Sequence, residues 1–248
     1  MKSKLIIAIS ALLFTASTAV AAEVTVLAAG PTEEVMDEVL PQFEKASGHK
    51  VTVTFTGAAN IKKRIAAGEV FDLVIVDAPV IDAFAGDGKI VAGTRTDLMK
   101  SGIGAAVRAG AAKPDIGSSE AFKKTLLAAK SIGYSTGASG IHVVSLIERL
   151  GIADQVKPKL KQVPSGVRIG TLIQSGEAEI GFQQISELIH APGIQFIGPL
   201  PPDLQKITVY SAGLHSKGNQ PDAARALVKS LTGPAAAAAI KRHGMEPG

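Results

Sequence analysis

The stretch with the greatest chemical capacity is Tyr134-Ser135-Thr136-Gly137-Ala138-Ser139-Gly140-Ile141-His142. Ser131-Ile132-Gly133-Tyr134 ahead of it reads as a strand end. Behind it, apolar residues at Ile141, Val144, Ile147 and Leu150 predict a helix. Strand, small-residue turn and helix start together make an anion-binding arrangement. The first amides of a helix lack intrahelical partners, and the macrodipole adds about half a positive charge there. Gly137 and Gly140 leave room for a guest to approach the backbone, and Ser139 can cap the helix or donate its hydroxyl. A lone turn of this kind is equally an ordinary helix cap. Two more occur in strand-to-helix position, Ala29-Gly30-Pro31-Thr32 and Thr56-Gly57-Ala58-Ala59-Asn60. Three such turns predict a cavity lined by backbone N–H groups.

Catalytic patterns are weaker. Gly137-Ala138-Ser139-Gly140 lacks the glycine two residues after the serine that a nucleophile elbow requires, since Ile141 stands there. His142 lies three residues from Ser139 on the same helix, a poor geometry for meeting its hydroxyl. His49, His142, His190, His215 and His243 show no metal-ligand spacing, and there is no cysteine to assist them. No Gly-x-Gly-x-x-Gly or Walker pattern follows a strand, and the carboxylates form no glycosidase pair. The expectation is a binding protein, not an enzyme, with no cofactor and no metal.

The elements that must position these turns alternate. Strands are expected at Val24–Ala28, Lys50–Phe55, Phe71–Val76, Gly104–Ala109, Glu179–Phe182, Ile194–Ile197 and Ile207–Leu214. Helices are expected at Glu33–Ala46, Ile61–Ala67, Pro79–Phe84, Glu120–Ala129, Val167–Gln174, Pro221–Leu231 and Ala235–His243. This is an α/β pattern, and such sheets bind ligands at the carboxyl ends of their strands.

The start of the chain, Met-Lys-Ser-Lys followed by an apolar run to about Thr15 and Ala19-Val20-Ala21-Ala22, reads as a secretory signal peptide over residues 1–22, cleaved after Ala21 or Ala22. The whole chain carries a formal charge of +4. Removing Lys2 and Lys4 leaves a mild excess that gives no reason to expect nucleic acid. Lys62-Lys63-Arg64 reads as a solvated helix face, and the absence of tryptophan argues against a stacking platform. Export without cysteine means no disulfides and no lipid anchor, so the expected address is the periplasm and stability must come from core burial.

In the order and spacing of several segments the whole mature chain resembles a type II periplasmic solute-binding protein of the molybdate-binding branch. They are Val26-Leu27-Ala28-Ala29, Phe43 to Val51, Phe55-Thr56-Gly57-Ala58, Phe71 to Ile75, Ala138-Ser139-Gly140-Ile141 and Ser175 to Gly181. The resemblance implies two α/β lobes, each a mainly parallel sheet flanked by helices, joined by crossing strands near residues 103–108 and 203–208. Residues 23–105 with 206–248 would form lobe 1, and 106–205 lobe 2. It further implies a ligand in the cleft, hinge closure, a monomer, and an inner-membrane ATP-driven permease as partner. An exported sensor of the same fold is the alternative, and an exported hydrolase the third.

The departures shift the expected ligand. The branch's first-turn serine, second-turn serine and late-strand tyrosine fall at Gly30, Ala58 and Phe182. Each hydrogen bond to a charged oxygen contributes about 1.5–3 kcal/mol, so losing three argues against molybdate. Asp77 stands where the branch has a small neutral residue; it either caps the helix near Pro79 or touches the ligand. Arg108 is either cleft-facing, with a two-pronged bond to a carboxylate, or a hinge residue. Thr32, Asn60, Ser165, Gly166, Gln183 and Gln184 supply further groups at the turns, though Asn60 also reads as a cap and the glutamines as partners for interlobe backbone. The candidate set is therefore Gly30, Pro31, Thr32, Gly57, Ala58, Ala59, Asn60, Asp77, Arg108, Thr136, Gly137, Ala138, Ser139, Gly140, Ser165, Gly166, Gln183 and Gln184, for a small anion of organic-acid type.

Overall fold

The structure, a computed structural model, describes residues 21–248, so the expected signal peptide lies outside the described residues except for its last two. In chain order, β1 is Glu23–Ala29, α1 Glu33–Ser47, β2 Lys50–Thr56, α2 Ala58–Ala66, β3 Leu73–Asp77, α3 Ala78–Gly86, β4 Thr96–Ser101, β5 Ile103–Arg108, α4 Ser119–Ala128, β6 Ile132–Tyr134 and α5 Ala138–Arg149. There follow α6 Ala153–Val156, β7 Leu160–Gln162, α7 Gly170–Ser175, β8 Ile180–Gln184, α8 Ile185–Leu188, β9 Ile194–Pro199, β10 Thr208–Leu214, α9 Pro221–Leu231, α10 Pro234–Arg242 and β11 Glu246–Pro247.

These strands form two sheets, ordered β11-β4-β10-β3-β1-β2 and β7-β6-β8-β5-β9. Both are mixed. The β2-β1-β3 and β7-β6-β8 portions are parallel, as strand–helix alternation requires. β10 runs antiparallel to β3, and β5 antiparallel to β8 and β9. The expected mainly parallel sheets hold only for those portions, because β5 and β10 each enter their sheet straight from the other one. β4 has no alternating pattern and was not expected from sequence; it is fixed by pairing with β10 and β11.

The chain passes between the sheets at Gly102 and again over residues 200–207. Ile103–Arg108, expected as a crossing strand, already belongs to the second sheet. The two passages are tied together by Gln205, whose side chain accepts from Ile103 N at 2.8 Å and donates to Ile103 O at 2.9 Å. Gln184 braces the same place. With its amide oriented to satisfy its neighbours, it donates to Ser101 O and Gly102 O at 3.2 and 3.1 Å and accepts from Thr208 Oγ1 at 3.0 Å.

Each sheet has its own core. The apolar faces of α1 (Val35, Met36, Val39, Phe43) and α9 (Ala224, Leu227, Leu231) pack together and bury against β2 and β10 in the first. Phe122 of α4 meets Phe182 of β8 edge-on at 5.5 Å in the second. Asp72, before β3, stitches the first core. Its carboxylate accepts from Thr25 N and Oγ1 at 2.8 Å, and from Asn219 N and Gln220 N at 2.7 and 2.8 Å at the start of α9. Burial disfavours its charge, but these four donors outweigh it and hold the group below the ordinary carboxylate range. Among the described residues no helix is long and apolar enough to cross a membrane.

Candidate functional site

The parallel strands of both sheets point their carboxyl ends into the space between the sheets. A cavity of about 250 Å³ lies there, and the three small-residue turns all reach it. This follows from topology: β1, β2 and β6 each end at a turn into α1, α2 and α5.

The α5 turn carries most of the donors. Hydrogen bonding along α5 begins with Ile141 N to Gly137 O at 3.0 Å, so the amides before it have no partner carbonyl in the helix. Ser135 Oγ accepts from Gly137 N at 3.2 Å and lies 3.0 Å from Ser139 Oγ. Gly140 is itself buried. Its role is steric, since a Cβ there would stand 1.6 Å from Ser135 O. The α2 turn behaves alike: Asn60 N and Ile61 N both bond Gly57 O, at 2.9 and 3.1 Å, leaving the Ala58 and Ala59 amides free of the helix ladder.

Of the expected residues, Gly30, Pro31, Gly57, Ala58, Asp77, Thr136, Gly137, Ala138, Ser139, Gly166, Gln183 and Gln184 line the cavity. Six do not. Thr32 is fully buried and bonds Ala29 O at 2.8 Å, turned away from the cavity. Ala59 is exposed on α2. Asn60 is not the cap of α2, a role Gly57 holds; it bonds Thr56 Oγ1 at 3.0 Å and Ser165 O at 3.4 Å, across the cleft. Ser165 packs on Gly57, where a Cβ would stand 2.2 Å from its Oγ. Gly140 is beneath the turn. Arg108 is exposed and far away: β5 is antiparallel to β8, so Ile103 sits opposite Gln184 beside the cavity and Arg108 ends at the other rim, opposite Ile194.

Asp77 is the cap residue of α3, but its side chain makes no capping bond; it lines the cavity. Burial raises its pKa, and Lys62 and Lys206 pull in the opposite direction. Gln183 accepts from Ile169 N at 2.7 Å and donates to Glu187 Oε1 at 2.8 Å, so both ends of its amide are engaged. Ser139 pairs with Ser135, and His142 Nε2 lies 2.8 Å from Leu204 O, so no serine–histidine pair forms.

Ser135, in the turn singled out from sequence, lines the cavity too, and four chemically active residues of its wall stand outside the expected set: Glu33, Arg168, Glu187 and Tyr210. Arg168 bonds Glu34 Oε1 and Glu33 Oε2, both at 2.5 Å, bridging the two halves. Burial opposes its charge, yet Glu34 and Glu33 more than offset this and raise its pKa. Glu187 is 7% exposed. Burial, with the nearby Glu34 and Glu33 charges, pushes its carboxyl up to about 8, against the pull of Arg168 and the Gln183 bond. Tyr210 is the register partner of Asp77 across β10 and β3, and burial raises its pKa further above the ordinary phenol value. It also corrects one expectation. Phe182, at the position of the branch's tyrosine, is buried in the second core, while a tyrosine reaches the cavity from the opposite sheet. Glu187 was findable by the strand-to-helix rule applied to the end of β8. Tyr210 was not, since an antiparallel register carries no local signal.

Among the described residues no group of three or more His, Cys, Asp or Glu could hold a metal. The chain matches the family model for bacterial extracellular solute-binding proteins over residues 24–246. It is 36% identical over 251 residues to the aconitate isomerase of a Pseudomonas species, spanning 97% of this chain and 95% of that protein. It is 30% identical over 249 residues to a molybdate-binding protein of Azotobacter vinelandii, spanning 98% and 96%. A solved periplasmic molybdate-binding protein from Azotobacter vinelandii superposes with a TM-score of 0.77 at 19% identity, covering 90% of this chain and 98% of that one, a likeness of fold.

Proposed function

The chain belongs to the bacterial extracellular solute-binding protein family, and from that premise we propose that it binds a small organic anion carrying more than one carboxylate in the cavity between its sheets. In this reading it works in the periplasm as a monomer and delivers its guest to an inner-membrane ATP-driven permease. The observation that carries the ligand class is the mixed wall. Amides and hydroxyls of the α5 turn face one side, and the carboxyls of Asp77 and Glu187 face the same space. A compact, fully ionised metal oxyanion in the same space is repelled by the Asp77 carboxyl whenever it is ionised. An organic acid presents carboxylates to the α5 amides, a carbon skeleton to Ala29, Phe55 and Val167, and an acceptor to the protonated Glu187. The 36% identical relative is named for aconitate, a tricarboxylate, which supports the same class.

A thermal-shift series with aconitate, citrate, succinate, sulfate and molybdate tests it. A guest at a hundred times its Kd adds about 2.7 kcal/mol. At least one organic acid should raise Tm, and micromolar molybdate should not. A response to molybdate with none to the organic acids would overturn the reading. The alternative role, a sensor signalling to a membrane receptor, is separated by transport of the identified guest in cells lacking the permease.

A second reading, that the bound acid is isomerised, is favoured by one observation. Asp77, Glu187 and Tyr210 bring three groups able to take up or give up a proton to one cavity, where a carrier needs only donors. Conversion between the two geometric isomers of aconitate is its direct test.

A further inference from the structure

We propose that Asp77 and Glu187 are a base–acid pair acting on the guest. Asp77 removes a proton from a carbon adjacent to a carboxylate-bearing double bond, and Glu187 supplies one to the far carbon of the same three-carbon unit. This rests on the isomerisation reading, and the substrate class it names is an unsaturated polycarboxylate with an acidic allylic C–H.

The placement comes from the fold. Asp77 ends β3 and reaches the cavity from the first sheet, with Tyr210 beside it as its cross-strand partner. Glu187 reaches it from the second sheet, on α8. Gln183 holds its Oε1 at 2.8 Å, and Gly30 of the first half packs against that same oxygen, where a Cβ would stand 3.5 Å away. The two carboxyls therefore face a guest from opposite halves. Their surroundings differ in sign. Glu187 is buried beside the carboxylates of Glu33 and Glu34, with the Arg168 guanidinium opposing them, and keeps its proton at neutral pH. Burial shifts Asp77 upward as well, but the charges near it are the cations Lys62 and Lys206, which oppose that shift, so it is the one of the two that ionises more readily. Environments that separate two carboxyls in this way assign the acid and the base.

The step balances without an oxidant or cofactor. The C–H bond breaks and its proton goes to the Asp77 carboxylate; its electron pair forms the new double bond. The former π pair takes the Glu187 proton at the far carbon. Asp77 is left protonated and Glu187 ionised. Tyr210, the cross-strand neighbour of Asp77 in the same cavity wall, offers a hydroxyl through which the proton on Asp77 returns to Glu187. The α5 amides and the Ser135–Ser139 pair face the charge that develops on the guest's carboxylate during the shift.

The test uses the mature chain with trans-aconitate in D2O, followed by proton NMR, with calorimetric binding in parallel. The wild type should form the cis isomer and exchange the allylic protons for deuterium. Asp77→Asn and Glu187→Gln should each slow both processes by about 100-fold or more, with Kd changed by less than about tenfold. Tyr210→Phe should slow them by about tenfold. Arg108→Ala, remote from the cavity, should match the wild type. Binding without exchange by the wild type, or wild-type exchange in both carboxyl variants, would overturn the assignment while leaving the organic-acid reading intact. Failure of the wild type to bind aconitate or any other polycarboxylate would remove the binding reading and this assignment with it.

Discussion

The two sides of the cavity are built from different chemistry. The first sheet's half contributes Gly30, Pro31, Glu33, Thr56, Gly57, Ala58, Asp77 and Tyr210: two turns with one lining hydroxyl between them, that of Thr56, which already accepts from Asn60, and one carboxyl–phenol neighbour pair. The second contributes Ser135, Thr136, Ser139, Gln183, Arg168 and Glu187, nearly all of them polar. Both sides offer helix starts. The second adds the hydroxyls of Ser135, Thr136 and Ser139 to them and the first only that of Thr56, so the anion-holding capacity is lopsided, and the first side is freed to carry a base. The α2 turn of the first side also lets the halves approach, since Gly57 admits Ser165 and Gly166 where a Cβ would clash.

That asymmetry can be broken most severely at Gly140. Any side chain there meets Ser135 O at 1.6 Å, so Gly140→Ala must displace the α5 turn. A loss of about 3 kcal/mol or more is expected, read by urea denaturation, together with loss of ligand response. Glu187 offers a pH signature. Its folded pKa, about 8, lies above its unfolded value, so the folded state holds the extra proton and stability falls as pH rises from the ordinary carboxylate range through about 8. In Glu187→Gln this component of the Tm-against-pH slope should vanish; an unchanged slope would mean the carboxyl is ordinary.

Ser139→Ala removes a donor from the polar side, and Kd for the organic anion should weaken by about 10- to 100-fold, the equivalent of roughly 1.5–3 kcal/mol. The opposite experiment sharpens the contrast. Gly30→Ser fits at ordinary contact distance from Glu187 and gives the first side's α1 turn a hydroxyl. Affinity for a tetrahedral oxyanion such as sulfate should rise by about tenfold. The smallest effect is expected at Arg168. Its bridges to Glu33 and Glu34 are part-exposed, so Arg168→Ala should cost about 1 kcal/mol or less, a Tm change of about 2–4 °C that shrinks in high salt.

Much of this was legible before any coordinates. Periodicity located most of the helices, and the parallel strands were readable because each is a short apolar run ending in a turn. The three turns could be recognised one by one, because glycine, alanine and serine at a strand-to-helix junction have a local cause. β4, β7 and β11 were not legible: they are short or irregular, and their pairing is supplied by distant strands. Arg108 shows the limit. Its residue type fits an anion site, but the direction of β5 puts it at the wrong rim.

The sequence by itself determined the α/β class, the composition of the turns and the absence of a nucleophile elbow, all of which depend on neighbours within a few residues. Only the tertiary structure decided that Tyr210 stands beside Asp77, that Glu187 faces them from the other half, and that Arg168 spans the gap. Those relations join residues more than a hundred positions apart, and they are set by strand order and register, which no local pattern encodes.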